Sequence, residues 1–387
     1  MRVLISGGGT GGHIYPALAV ANVLKTQYGA EILYLGDMRG LETQLVPKAG
    51  FPFVGIQAGK LRRYLSYKTF ADLGRIPVSF AQAIGQVRRF QPDVAFTSGG
   101  YVSVPAGYAA RSQRVPLVIH QQDVSPNLAN RLLRPMATRI TVSFEESLRY
   151  FPAKKSAWIG NPVREAILDV VKMSGSEAKQ SFGLDPALPL VLVTGGSQGA
   201  KHLNEVIADS LPSLLSVCQV LQISGSRTYA ATKDQTEAQL QGHPEWAARY
   251  RLFEYLDEQM APALAAADVV LCRSGAATLS ELATLGKPSI LVPLPPGFGG
   301  SPQAVNAAMF QQLGAANVIR DADLTPEQLS ATLLPLLTDE AARHTLGKAA
   351  LSLARPQAAS DLAEIVVQFA RGHKTAAMTQ KSSLGSM

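Results

Sequence analysis

The chain has 387 residues, 47% of them hydrophobic and 17% charged, which is a globular composition with enough apolar material for two sizeable cores. It excludes wholesale disorder, and no apolar run approaches the ~18–20 residues that a membrane-spanning helix needs. The formal net charge of +7 is uneven: residues 1–161 carry 19 Lys and Arg against 8 Asp and Glu, whereas residues 162–387 carry 17 against 21.

Val3–Ser6 reads as a strand running directly into a glycine loop, a start that leaves no room for a signal peptide. The loop satisfies G-x-G-x-x-G through Gly7, Gly9 and Gly12, and Asp37, past the next strand Ile32–Leu35, is the acid that an NAD site would want. Any such loop lets backbone N–H groups approach an anion at a helix N-terminus. His13 is unusual there. It places an imidazole where a general base for a bound hydroxyl could stand, although a capping or core histidine would look the same. From Pro16 the face Val20, Val23, Leu24 and Gln27 predicts a helix, with Gly29 as its stop.

Residues 60–90 concentrate the basic surplus: Lys60, Arg62, Arg63, Lys68, Arg75, Arg88 and Arg89 face only Asp72, interleaved with Leu61, Tyr64, Leu65, Tyr67, Phe70 and Phe80. Such a stretch suits an anionic membrane surface, a nucleic acid or an ordinary solvated face over a core. The strand Val94–Thr97 ends in Ser98-Gly99-Gly100-Tyr101, either a backbone-donor loop or a tight turn. The strand Leu117–His120 continues into Gln121-Gln122-Asp123, a histidine and a carboxylate able to orient or deprotonate a hydroxyl. Ile140–Val142 is a further strand, and Gly160-Asn161-Pro162 through Pro186 and Pro189 is the natural boundary.

Beyond it the layout repeats. The strand Leu190–Thr194 runs into Gly195-Gly196-Ser197-Gln198-Gly199-Ala200, and Leu203, Val206, Ile207 and Leu211 follow at helical spacing. Ser197 offers a phosphate its hydroxyl and the loop's amides. Strands are also predicted at Val220–Ile223, Val269–Cys272 and Ser289–Val292. After Cys272, Arg273-Ser274-Gly275-Ala276 opens another helix, with Glu281 two turns in, either a ribose acceptor or an exposed helix residue. Gln303 and Asn306 are amides suited to sugar hydroxyls or to capping. Cys218 and Cys272 read as buried small residues in a reducing compartment. No metal-ligand spacing, D-x-D pair, Walker A lysine or G-x-S-x-G is present. Strand–helix alternation with two glycine loops predicts an α/β chain of two Rossmann-like domains with parallel sheets, binding ligands at the strands' carboxyl ends in an interdomain cleft.

Taken in order, the motifs are specific. Gly8-Gly9-Thr10-Gly11-Gly12-His13 with Pro16, Gly40-Leu41-Glu42, Gly99-Gly100-Tyr101-Val102-Ser103, His120 and Gly160-Asn161-Pro162-Val163-Arg164 come first. Gly195–Ala200, Arg273-Ser274-Gly275-Ala276, Thr278, Ser280-Glu281 and Gln303 with Asn306 complete the set. Together they resemble the MurG family, over roughly residues 1–370. These are the N-acetylglucosaminyltransferases that finish the lipid-linked precursor of bacterial peptidoglycan.

The resemblance implies a GT-B fold and an inverting transfer from UDP-N-acetylglucosamine to the C4 hydroxyl of undecaprenyl-diphospho-N-acetylmuramoyl-pentapeptide, with no cofactor and no metal. It implies an acceptor domain over 1–161, a donor domain over 162–352 and a helix over 353–371 crossing back to the first domain. The polar, small-residue composition of 372–387 predicts a disordered tail. Thr10, Gly11, Gly12, Gly99, Gly100, Tyr101 and His120 would meet the acceptor. The donor would be held by Thr10, Gly11, Gly12, Asn127, Arg164, Ser197, Leu256, Ser274, Gly275, Ala276, Thr278, Glu281, Gln303 and Asn306. His13 would be the general base, or Asp123 in its place, because the family usually has His-Glu-Gln-Asn where this chain has His120-Gln121-Gln122-Asp123. Two further departures are Val104, where a glycine is common, and Gly299-Gly300-Ser301-Pro302, where charged or polar residues are usual. Residues 60–90 would rest on the anionic cytoplasmic leaflet as a peripheral contact, and no nucleic acid is expected. The alternatives are a related transferase with another sugar or acceptor, a non-catalytic membrane-docked binding subunit, and an NAD oxidoreductase.

Overall fold

The structure, a computed structural model, describes residues 1–59, 67–295 and 303–384, and of residues 67–74 and 373–384 the backbone alone. The chain divides into two compact units, one of residues 1–164 with 355–387 and the other of residues 165–354.

The first unit is built on seven parallel strands: β1 (Arg2–Ser6), β2 (Glu31–Asp37), β3 (Phe53–Ile56), β4 (Val94–Thr97), β5 (Leu117–Gln121), β6 (Arg139–Val142) and β7 (Ser156–Trp158). Their order across the sheet is β3-β2-β1-β4-β5-β6-β7. The order reverses between β1 and β4, which pair in register from Val3 with Val94 to Ser6 with Thr97. A parallel sheet of this kind is covered by helices on both faces, so its central strands are apolar on both sides. Val3 and Ile5 pack into one core with Phe96 and Val118, while Leu4 packs into the other with Ala95 and Ile119.

The helix Gly11–Tyr28 closes the first core and stops at Gly29, whose φ of 58° makes the left-handed cap. The last helix, Ala358–Leu384, joins the same core through Leu362, Ala363, Val366, Val367 and Ala370. It continues past residue 371, where the sequence reading ends it. Gly372 breaks no turn there, and the following Ala376, Ala377, Met378, Gln380 and Lys381 are good helix formers.

The second unit carries six parallel strands: β8 (Leu190–Thr194), β9 (Gln219–Ile223), β10 (Tyr250–Phe253), β11 (Val269–Cys272), β12 (Ser289–Leu291) and β13 (Asn317–Val318). They lie in the order β10-β9-β8-β11-β12-β13, reversing between β8 and β11. Leu203, Val206, Ile207 and Leu211 all turn into its core, as their spacing predicts. Cys218 and Cys272 are buried free thiols. Of residues 60–90, 60–66 lie outside the described residues. The remainder belongs to the helix Tyr67–Phe90, which buries Ala83 and Val87 and ends on the exposed Arg88 and Arg89.

Candidate active site

The strand order of each sheet reverses once, and a glycine loop stands at each reversal. In the first unit the loop after β1 meets the loop after β4. Gly8 N–H donates to the Gly99 carbonyl at 3.3 Å, and Ser98 N–H donates to Ser6 O at 3.0 Å. Gly100 has a φ of +86°, and a Cβ there would stand 2.2 Å from the Gly8 carbonyl oxygen, so no side chain can replace it without separating the loops. Thr10 caps the helix Gly11–Tyr28 without a side-chain hydrogen bond, and no acid occupies the first turn. The helix N-terminus therefore stays open to an anion.

His13 sits in that first turn, half-buried. Its Nδ1 lies 3.1 Å from the Ser98 carbonyl, and Ser98 Oγ donates back to the His13 carbonyl at 2.6 Å. A carbonyl can only accept, so Nδ1 carries the hydrogen and the neutral ring keeps its lone pair at Nε2. Burial draws the imidazole below its ordinary value. Asp123, the Ser98 carbonyl, the Gln122 side chain and Glu42 pull the other way. The result is a base that is neutral near pH 7, with a carboxylate at hand to stabilise its protonated form.

Tyr101 donates its hydroxyl to Asp37, so the acid that an NAD site would need is already engaged. His120 is fully buried. Its Nδ1 lies 2.9 Å from Thr141 Oγ1, and its Nε2 lies 3.2 Å from both Asn161 Oδ1 and Ser143 Oγ. Burial pushes it down to about 4, so it is a neutral, buried polar group near the end of β5. Asn127 caps the helix Leu128–Leu133 through its Oδ1, and its Nδ2, beside Gly99, is buried without a partner. The Arg164 guanidinium stacks on the Tyr15 ring, 5.3 Å from its centroid, and Tyr15 in turn covers Gly11.

In the second unit the loop Gly195–Ala200 follows β8 and leads into the helix Lys201–Leu214, again without a side-chain cap. Gly199 has a φ of +81°, and a Cβ would fall 2.2 Å from the Ser224 carbonyl oxygen. Ser226 N–H and hydroxyl both reach the Ser197 carbonyl, which leaves Ser197 exposed at the tip. Across the reversal, Gly275 caps the helix Ala276–Thr284 with no side-chain bond, and Ala276 is its first residue. Ser274 is fully buried, its hydroxyl donating to the Gln303 carbonyl at 2.8 Å, and Asn306 Nδ2 donates to the Ser274 carbonyl at 3.0 Å. Gln303 Oε1 accepts from Leu294 N–H. Thr278 and Glu281 are half-buried along that helix, and Leu256 is buried in the loop after β10. Ser274 and Asn306 thus tie this loop to the helix Gln303–Gln312.

Two family models match the chain: the glycosyltransferase family 28 N-terminal domain over residues 3–142 and its C-terminal domain over residues 190–364. A UDP-N-acetylglucosamine–N-acetylmuramyl-(pentapeptide) pyrophosphoryl-undecaprenol N-acetylglucosamine transferase of Halothermothrix orenii is 38% identical, over 96% of this chain and 100% of its own. A Nocardioides protein of the same name is also 38% identical, over 96% and 99%. The crystal structure of Acinetobacter baumannii MurG aligns with a TM-score of 0.72 at 27% identity, covering 95% of this chain and 99% of that one.

The chain belongs to the MurG family of glycosyltransferases.

In this transferase the sequence reading picked out the loops that the structure sets at the two reversals. Three groups it named only within motifs, without a role. Glu42 is completely buried among the glycine loops, with its carboxylate on backbone amides. Gln122, 2% exposed, faces His13 and has an unpartnered Nε2. Arg273 is bound to Asp321 and to the Val292 and Pro293 carbonyls, so this cation braces the second unit. The partners of Glu42 and Arg273 lie 5 to 48 residues away in sequence, and only the charge and amide types themselves are visible in one dimension.

Proposed function

We propose that this transferase moves N-acetylglucosamine from UDP-N-acetylglucosamine to the C4 hydroxyl of undecaprenyl-diphospho-N-acetylmuramoyl-pentapeptide, with inversion. The names of its relatives supply the substrates. The observation that carries the residue assignment is the Nδ1 hydrogen bond from His13 to the Ser98 carbonyl, which leaves Nε2 as the basic atom of a ring on which the Asp123 charge acts. Nε2 takes the proton of the attacking hydroxyl as its oxygen bonds to the anomeric carbon. The bond from that carbon to the β-phosphate oxygen breaks, and UDP leaves with the electron pair. Asp123 stabilises the imidazolium that forms.

The open helix N-terminus and amides of Thr10–Gly12 with Gly99, Gly100 and Tyr101 take the acceptor's diphosphate, and His120 supports them from below. Thr10–Gly12, with Asn127 near Gly99, also border the donor. In the second unit the Ser197 loop takes the UDP phosphates, Leu256 reads the uracil through its backbone, and Glu281 takes the ribose; Arg164, in the first unit, is a further ligand for the phosphates. Ser274–Ala276, Thr278, Gln303 and Asn306 position the sugar. Among the described residues no helix is long and apolar enough to cross a membrane. A peripheral attachment at the cytoplasmic face, through the basic stretch 60–90, brings the lipid acceptor within reach.

The test is UDP release from UDP-N-acetylglucosamine with and without a short-chain analogue of the lipid-linked muramoyl-pentapeptide, with UDP-glucose as control. Acceptor-dependent release from the N-acetylated donor alone is the expected result. Silence with both donors alongside tight UDP binding would overturn it in favour of another acceptor or a binding role.

A further inference from the structure

Glu42 has no place in the chemistry described so far, yet it is one of the most enclosed polar side chains in the first unit. It opens the helix Glu42–Lys48 and is 0% exposed. Its Oε1 accepts from Asp37 N–H at 2.9 Å and its Oε2 from Gly9 N–H at 3.4 Å. A Cβ at Gly8, Gly36 or Gly40 would fall within 2.5 Å of its side chain, so three backbone segments close around it. Enclosing a carboxylate costs several kcal/mol unless its charge is used. Glutamine would fill the same space, but its amide nitrogen would face one of these two N–H donors, so only the carboxylate accepts from both.

We propose that Glu42 is a positioning residue for the reaction: it pins Gly9 in the anion loop and holds a negative charge among the glycine loops of the first unit. This rests on His13 being the general base. The groups facing that ring are Asp123 from the loop after β5, His120 at the end of β5, Glu42, and the polar Gln122 and Ser98 carbonyl. Glu42 is one of two carboxylates among them. Its charge favours the imidazolium, and so makes Nε2 a stronger base at the moment of proton transfer. Gly9 N–H is one of the amides of the open loop, so the same side chain ties the electrostatics of the base to the geometry of the anion site.

The variants Glu42→Gln and Glu42→Asp, with His13→Ala beside them, test this in the full-length enzyme. Glu42→Gln should lower kcat about tenfold with the KM for UDP-N-acetylglucosamine unchanged. The acid limb of its kcat/KM profile should move to lower pH, because the imidazole has lost a stabilising charge. A limb at the wild-type position overturns the proposal. So does a limb moved to higher pH, which is what an opened loop and a rehydrated His13 would give. Glu42→Asp keeps the charge but is too short to hold both amides. It should lower kcat and leave the limb in place, and a wild-type kcat there overturns the bracing role even if Glu42→Gln does not fold. An active His13→Ala with an unchanged limb would mean that the general-base reading itself had failed. An inactive His13→Ala beside a Glu42→Gln limb at the wild-type position would remove Glu42 alone.

Discussion

In the first unit the glycine loop after β1 is crowded by ionisable side chains, with His13, Asp123, Glu42 and the Asp37–Tyr101 pair within one cluster of loops. In the second unit the matching loop after β8 meets hydroxyls and backbone amides, and the ionisable Arg273 and His202, the latter in the first turn of the following helix, both pair with Asp321. The architecture is the same: a strand, a glycine loop, an uncapped helix N-terminus and a second loop from across the reversal. A backbone cradle suffices to hold a phosphate. Moving a proton needs titratable groups whose values are tuned by burial and by neighbours, and beside the first loop burial draws both His13 and His120 below their ordinary value.

The comparison breaks most sharply at His13. His13→Ala should lower kcat by about 10²–10⁴ and leave UDP affinity, measured by calorimetry, unchanged. Near-normal turnover would move the base to Asp123, for which Asp123→Asn is the matching variant.

The next effect is on stability against pH. His120 has its ordinary value of 6.5 when unfolded and about 4 when folded. The unfolded chain therefore takes up a proton as the pH falls through 6.5, whereas the folded chain resists until about 4. Stability present above that window declines across it, by about 3 kcal/mol at full extent. Urea melts of wild type and His120→Gln at neutral and mildly acid pH should show a steeper loss in wild type. Equal losses would mean that the buried ring is not what resists protonation.

A third test sets the two cradles against each other. Gly100→Ala and Gly199→Ala each force a Cβ onto a carbonyl oxygen 2.2 Å away, with a positive φ besides. Each carries about 1–3 kcal/mol of strain. Gly199→Ala should weaken UDP binding about tenfold or more, and Gly100→Ala should spare it while impairing turnover of the lipid acceptor. Equal losses of UDP affinity would mean that the two loops do not divide the substrates.

How much of this was legible in one dimension depended on position in the sheet. The nine strands predicted from sequence are all present, and the four not predicted, β3, β7, β10 and β13, are the outermost strands of the two sheets. Central parallel strands are covered on both faces and read as unbroken apolar runs, such as Val191-Leu192-Val193. Outer strands are half-covered and mixed, as in Ser156-Ala157-Trp158 or Asn317-Val318, and their pattern merges with that of loops. The site divides in the same way. Loops at the ends of central strands could be found because glycine and histidine stand out by type. Which groups face the ligand could not: His120 spends both ring nitrogens on Thr141, Asn161 and Ser143, 21 to 41 residues distant, and Glu42 hides its charge on backbone amides.

The smallest expected effect is at Ser197, and it is the most direct measure of how far the second cradle is a backbone device. Its carbonyl is held by Ser226, so the loop's shape does not depend on the Ser197 hydroxyl, which stands exposed at the tip. Ser197→Ala should leave the loop intact and remove one hydrogen bond to phosphate, worth about 1 kcal/mol. That is about a fivefold rise in the Kd for UDP, with kcat unchanged at saturating donor. A loss of a hundredfold or more would show that the hydroxyl, and not the amides with the helix N-terminus, carries the phosphate, and the contrast between a backbone cradle and a side-chain cluster would no longer hold. A change in kcat with the affinity intact would place Ser197 in the transition state, and the second unit would then share in the chemistry that this comparison assigns to the first.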